Sequence, residues 1–235
     1  MRRVNLIPMA GRGQRFIDRG YTTKKPLIEA GGEPMIIKAV RSMPVADAWV
    51  FVCAADEDYG SLLRWYLDSG PTIETISVKE TTEGQACTCL LAAELVEAEG
   101  VLNIGACDYA LAYDRDEYGR LVEDPQTDGF IWTFRHNPIV LQDPKMYGWV
   151  DVDAEGNVRK VSCKTPLSDD PIEDHAIIGA FTFKRGGDFI RCAEATIAAE
   201  RRINGEFYVD EVMNIAIEAG LGIKVLEVDH YMGLG

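Results

Sequence analysis

Apolar runs of strand length alternate with amphipathic stretches of helix length over the first 108 residues, with short connections between them. "VNLIP", ended by Pro8, reads as a buried first strand. A helical period follows over residues 33–43, with Pro34 near the start, where its missing N–H costs nothing. "AWVFVCAA" is a second strand, "DYGSLLRWYLDSG" a helix closed by Gly70, and "IETISV" a third strand. "GQACTCLLAAELVEAEG" reads as a helix ending at Gly100, and "VLNIGACD" as a fourth strand running into polar residues. Strands joined through helices lie parallel, so the expectation is a parallel sheet covered on both faces.

After Asp108 the rhythm changes. "DGFIWTF", "YGWVDVD" and "NVRKVSC" are strands without intervening helices, and "DAEGN" is a hairpin turn between the last two. "AIIGAFTF" adds a strand, "GDFIRCAEATIAAE" and "YVDEVMNIAIEAG" add helices, and "IKVLEV" closes the series. The fold class expected is therefore α/β: a three-layer sandwich around a mostly parallel, mixed sheet. With 47% hydrophobic residues, the 235 residues suffice for one large core, and residues 1–235 are read as a single domain. In open α/β sheets ligands sit at the carboxyl ends of the strands, which here means residues 8–13, the loop before Gly84, and Asp108.

Charge narrows the choice of ligand. The chain carries 24 basic and 38 acidic side chains, a net charge of −14, which excludes a nucleic-acid-binding face. Yet residues 1–25 hold seven basic side chains (Arg2, Arg3, Arg12, Arg15, Arg19, Lys24, Lys25) against one acidic, Asp18. Local positive charge in so acidic a chain points to a small anion. The six cysteines (Cys53, Cys87, Cys89, Cys107, Cys163, Cys192) form no CxxC pair and lie mostly in apolar stretches, as buried free thiols of a reducing compartment would. Pro8, Gly11, Arg12 and Arg15 interrupt the first apolar run too early for a signal peptide, and no run reaches the roughly 18 residues of a membrane span. A cytoplasmic protein is expected. His136, His175 and His230 share no ligand spacing.

The basic stretch surrounds a Gly-x-Gly turn, "IPMAGRGQRF". A dinucleotide fingerprint needs a third glycine where Phe16 stands, and no GxxxxGK[ST] occurs anywhere, so neither nucleotide motif fits. What remains is a turn in which Gly11 and Gly13 can take positive φ and present backbone N–H groups to a ligand. With Arg12, Arg15, Arg19 and Lys24-Lys25 following, the turn suits a polyphosphate, since charge-assisted hydrogen bonds are worth about 1.5–3 kcal/mol each.

"IPMAGRGQRF" with "KKPLIEAGGEPMI" resembles the opening of the sugar-phosphate nucleotidyltransferases, which make nucleoside-diphosphate sugars and related activated phosphates. Gly11, Gly13, Arg15, Lys25, Pro26, Gly32 and Pro34 fall on that signature. The resemblance implies the Rossmann-like nucleotide-diphospho-sugar transferase fold. Its nucleotide half would cover about residues 1–110 and its acceptor half about 111–235. It implies an NTP cradled by Ala10, Gly11 and Gly13, with Arg15 and Lys25 as the catalytic cations, and Gly84 and Gln85 of "TTEGQACT" at the base. "ACDY" is similar to the segment whose Asp binds Mg²⁺, which assigns Asp108 to the metal. On the acceptor side, "VSCKTP" matches Lys164 to a phosphate-binding lysine. "IIGAFTF" places Gly179 at a close approach, and "NGEFYVDEV" offers Glu206 and Asp210 as polar contacts. Two departures stand out: Cys163 occupies a usual Glu, and in "HYMGLG" Gly233 occupies the place of the second metal ligand, for which Asp229 is the substitute candidate. Relatives of this kind continue with Thr-Pro and a helix where this sequence stops at Gly235.

The activity implied is transfer of NMP from an NTP to a sugar 1-phosphate or another phosphorylated small alcohol, with release of pyrophosphate. The product would serve surface-polysaccharide or cell-envelope synthesis, with no nucleic-acid or membrane partner. Two alternatives carry their own signals. A glycosyltransferase of the related fold expects Asp-x-Asp on the metal strand; "CDYAL" lacks it, although "DVD" occurs at Asp151 and Asp153. A regulatory domain that binds nucleotide without turnover is motivated by Gly233 and Cys163.

Overall fold

The computed structural model describes residues 1–55, 59–66 and 70–234. In chain order the first half contains β1 (Arg3–Met9), α1 (Gln14–Asp18), β2 (Glu29–Ala30), β3 (Glu33–Pro34), α2 (Met35–Ser42), β4 (Ala48–Ala54), α3 (Tyr59–Tyr66), β5 (Thr72–Val78), α4 (Gln85–Leu90) and β6 (Val101–Ile104). The second half contains β7 (Tyr109–Ala112), α5 (Arg115–Glu123), β8 (Gly129–Phe134), β9 (Gly148–Val152), β10 (Val158–Cys163), β11 (His175–Phe183), α6 (Gly186–Ala198), α7 (Val209–Glu218), β12 (Ile223–Glu227) and β13 (His230–Gly233).

The main sheet runs β12-β8-β11-β6-β1-β4-β5. Strands β6, β1, β4 and β5 are parallel neighbours, as are β12 and β8, and β11 runs antiparallel between β6 and β8. The other edge of β11 pairs first with β9 and then, after a register shift, with β6. The β9–β10 hairpin extends the sheet from there. Strands of a doubly covered sheet must be apolar on both faces, and β4 is buried from Ala48 to Cys53. Val4 and Leu6 of β1 face α4, α6 and α7, while Ile7 and Met9 face α2 and α3 across the sheet. The three-layer α/β architecture read from the alternation is the one present. The edge strand β5 is largely exposed.

Several elements differ from the sequence reading. The helix expected to run to Gly100 ends at Leu90, and a 3-10 turn at Ala93–Leu95 follows. Residues 96–100 leave the helix because the start of α6 docks on them. Gly186 N–H donates to the Gly100 carbonyl and Gly187 N–H to that of Ala98, and a Cβ at Gly186 would stand 2.3 Å from Val96. Helix α5 was not anticipated. It is polar, burying only Tyr118 and Leu121, but Asp114 caps it by accepting from the Asp116 and Glu117 N–H groups. The small pairs β2–β3 and β7–β13 were also unforeseen. The expected helix around α3 reaches Asp58 and residues 67–69, which lie outside the described residues. The "DAEGN" turn is present: Asp153 accepts from the Glu155 and Asn157 N–H groups and closes the hairpin. No cysteine forms a disulfide. Among the described residues no helix is long and apolar enough to cross a membrane.

Candidate active site

The carboxyl ends of the parallel strands meet the Gly11–Gly13 loop. Gly13 sits at φ 63°, ψ 34°, immediately before α1, a left-handed position that a side chain resists. A Cβ there would also lie 3.0 Å from Cβ of Lys25. The glycine therefore serves conformation and packing together. Lys25 opens a 3-10 turn, Lys25–Leu27, with Pro26 buried behind it. Its Nζ lies 2.5 Å from Oδ2 of Asp108 and 5.8 Å over the Phe16 ring. Burial alone would push the Lys25 ammonium down, but the Asp108 carboxylate together with Cys107 outweighs it and holds Lys25 above its usual range. Arg12 Nε donates to Thr81 Oγ1 at 3.0 Å, tying the loop to the segment after β5, and Arg15 is exposed beside Met146.

Two cavities adjoin at this point and share Gln85. The first, about 370 Å³, is lined by Ala10, Gly11, Arg12, Gly13, Thr81, Thr82, Gly84 and Glu206 among others. The second, about 240 Å³, is lined by Arg15, Asp108, Met146, Tyr147, Gly148, Lys164, Gly179, Tyr208, Asp210, Tyr231 and Gly233 among others. Gly84 is required for a reason the sequence does not show. At φ 136°, a Cβ on it would fall 2.4 Å from the Phe207 nitrogen and 2.5 Å from its carbonyl oxygen. The Phe207 N–H donates to Glu83 and its carbonyl accepts from Ala86, so the two segments are joined backbone to backbone.

On the second cavity, Lys164 holds an unusual φ of 62° for a lysine, a strain of about 1–3 kcal/mol that the surroundings must offset. Its N–H donates to the Tyr147 carbonyl, its Nζ donates to that of Met146 at 2.6 Å, and Nζ stands 5.5 Å over the Tyr208 ring. Asp210, in the first turn of α7, is 7% exposed and forms no ion pair among those found for the described residues. Its carboxylate fits because residue 148 is glycine: a Cβ there would meet Oδ2 at 2.1 Å. Burial pushes the Asp210 carboxyl up; burial, then Asp210 itself, push the adjacent Cys163 thiol up. Gly179, at φ 80°, marks the shift in β11 and brings its backbone beside Ala106.

Most of the residues singled out from sequence thus border one of two adjoining cavities. Ala10, Gly11, Gly13, Gly84 and Gln85 line the first; Arg15, Asp108, Lys164, Gly179 and Asp210 line the second, and Lys25 reaches in through Asp108. Two are placed otherwise. Glu206, expected beside the acceptor, lines the first cavity. Asp229 is not brought to the site: β13 sets Gly233 opposite Tyr109 and His230 opposite Ala112, which leaves Asp229 roughly 13 Å further along the strand. Beside Asp108 stands Gly233, and the Leu234 N–H donates to the Asp108 carbonyl. No group of three or more His, Cys, Asp or Glu side chains among the described residues could hold a metal. Asp108, the carboxylate beside Lys25, fits Mg²⁺ held chiefly by phosphate oxygens, the habit of that ion with nucleotides. Asp153 of "DVD" closes the hairpin turn and Asp151 lines a different cavity, so the motif does not face this site. The sequence reading missed Tyr147, Tyr208, Tyr231 and Gly148, whose only signal was their place beside motif residues.

A model of nucleotidyl transferases matches residues 4–203. No curated protein matches the chain significantly. Similar solved structures include a nucleoside-diphosphate-sugar pyrophosphorylase from Vibrio cholerae RC9, with a TM-score of 0.77 and 20% identity, covering 98% of this chain and 95% of that one. A putative glucose-1-phosphate thymidylyltransferase from Bacillus anthracis gives 0.73 and 16%, covering 98% and 89%. The inositol-1-phosphate CTP transferase from T. maritima gives 0.73 and 15%, covering 99% and 89%. At these identities the likeness speaks for the fold.

Proposed function

The chain belongs to the nucleotidyl transferase family, and from that premise we infer that it transfers NMP from an NTP to the phosphate of a sugar 1-phosphate or similar phosphorylated alcohol. The observation that carries this reading is the Lys25–Asp108 pair, set where a glycine-loop cavity adjoins a second cavity bearing Arg15 and Lys164. The first cavity takes the nucleotide and the second the acceptor, so residues of about 1–110 hold most of the one and 111–235 most of the other. Two of the structurally similar proteins are described as acting on glucose 1-phosphate and inositol 1-phosphate, which supports a polyhydroxylated phosphate as acceptor.

The acceptor phosphate oxygen attacks the α-phosphorus in line. A new P–O bond forms, the bond from the α-phosphorus to the bridging oxygen breaks, and pyrophosphate leaves with its electron pair. That oxygen is already ionised at neutral pH, so no protein base is needed. Catalysis is then positioning and charge stabilisation. Backbone N–H groups of the Gly11–Gly13 loop and Arg15 hold the triphosphate, Lys25 stabilises charge on the five-coordinate phosphorus, and Lys164 orients the acceptor phosphate. Asp108 would hold Mg²⁺, which supplies further positive charge to the phosphate oxygens. An activated sugar is a glycosyl donor, which fits a cytoplasmic step of surface-polysaccharide or cell-envelope synthesis.

Pyrophosphate release across the four common NTPs, with a panel of sugar phosphates and phosphocholine, tests this reading. Release with at least one pair is expected, and Lys25→Met should lower turnover on the order of 10²–10³-fold while Lys24→Ala changes it far less. NTP binding without release in any pair would leave only a nucleotide-binding domain.

A further inference from the structure

Glu206 is the one carboxylate among the residues lining the nucleotide cavity. An acid beside a triphosphate is repelled by it, whereas the hydroxyls and amino groups of a nucleoside present donors from which a carboxylate can accept. Its support is stiff. Asn204 (φ 51°) and Gly205 (φ 84°) both take left-handed backbone, forming a two-residue turn closed by Ile203 N–H to the Glu206 carbonyl (2.9 Å) and Glu206 N–H to the Ile203 carbonyl (3.0 Å). Arg202 donates to the Gly205 carbonyl at 3.1 Å, pairs with Glu83 at 2.6 Å, and lies 4.0 Å from the centre of the Phe207 ring. With the Phe207 backbone bonded on both sides to Glu83 and Ala86, the turn is fixed to the segment that carries Gly84 and Gln85. Among the ion pairs found for the described residues, none involves Glu206. Tyr208 of the second cavity neighbours it, its hydroxyl pushed up to about 12, by burial first and then by the Glu206 carboxylate.

We propose that Glu206 reads the nucleoside, its carboxylate accepting hydrogen from a ribose hydroxyl or from an exocyclic amine of the base. The phosphates cannot be its partner, because they present only acceptors at neutral pH. This assignment rests on the nucleotidyltransferase reading and adds to it the residue that selects among nucleotides.

Calorimetric titration of the intact protein with the magnesium complexes of CTP, UTP, ATP and GTP, and with the 2′-deoxy and 3′-deoxy forms of the tightest binder, tests it. Glu206→Ala should weaken the tightest ribonucleotide about ten- to a hundredfold, and Glu206→Gln, whose amide oxygen still accepts, should recover part of that loss. If the donor is ribose, the alanine variant no longer separates ribonucleotide from its deoxy form. If it is the amine, the variant no longer separates CTP from UTP. Affinity unchanged within about twofold, or an equal loss for every nucleotide with all preferences intact, overturns the assignment. Absence of NTP binding by the unsubstituted protein overturns it together with the nucleotidyltransferase reading, whereas binding that ignores residue 206 overturns the assignment alone.

Discussion

Asp210 shows what a buried carboxyl costs in stability. Its carboxyl is buried in a slot left open by Gly148, and burial raises its pKa above the ordinary value of 3.8. A raised carboxyl pKa means the unfolded chain releases the proton more readily than the folded one. The contribution of Asp210 to stability is therefore greatest below pH 3.8 and declines as pH rises through its folded-state value. Asp210→Asn, neutral at all pH, should melt about 2–4 °C above the unsubstituted protein at pH 8, with the gain shrinking as pH approaches 3.8. A melting difference that is constant with pH would show that the Asp210 charge costs nothing. From sequence, Asp210 was legible only as a polar residue in "YVDEV"; the slot was not, because Gly148 lies 62 positions away.

At the level of elements, legibility followed the range of the forces involved. The parallel strands and α2, α6 and α7 are set by their own apolar periods, and each was readable in place. Helix α4 was read too long because "LLAAELVEAEG" has helical propensity throughout, while residues 96–100 are held out of it by the distant backbone of Gly186 and Gly187. The polar α5 lacks an apolar stripe, and β7 and β13 are four residues each, so neither leaves a periodic trace. Gly84 was read as a place where a base approaches, yet its backbone also locks onto Phe207. Gly84→Ala should thus act on the joint between the two cavities. It is expected to lower the melting temperature by several degrees and to weaken nucleotide binding, since the left-handed φ and the clash with Phe207 both oppose a Cβ. An alanine variant with unchanged melting and nucleotide affinity would mean that this joint is loose.

On the scale of the whole molecule, acid is in excess, while Arg12, Arg15 and Lys25 of the basic stretch gather where the parallel strands end, so an anionic ligand is favoured there. The cavity proposed for the nucleotide was largely legible, because residues 10–13 and 84–85 lie in two short motifs. The cavity proposed for the acceptor was legible only in part. It is assembled from β6, β9, β11, α7 and the last strand, and its tyrosines belong to no motif. The central claim is attack of an acceptor phosphate on the α-phosphorus, and the fate of that phosphorus tests it most directly. With the NTP and acceptor pair that releases pyrophosphate, label at the α-position should pass into the acceptor conjugate, and label at the γ-position into pyrophosphate. Label at the α-position recovered as free NMP, or at the γ-position as inorganic phosphate, would contradict it.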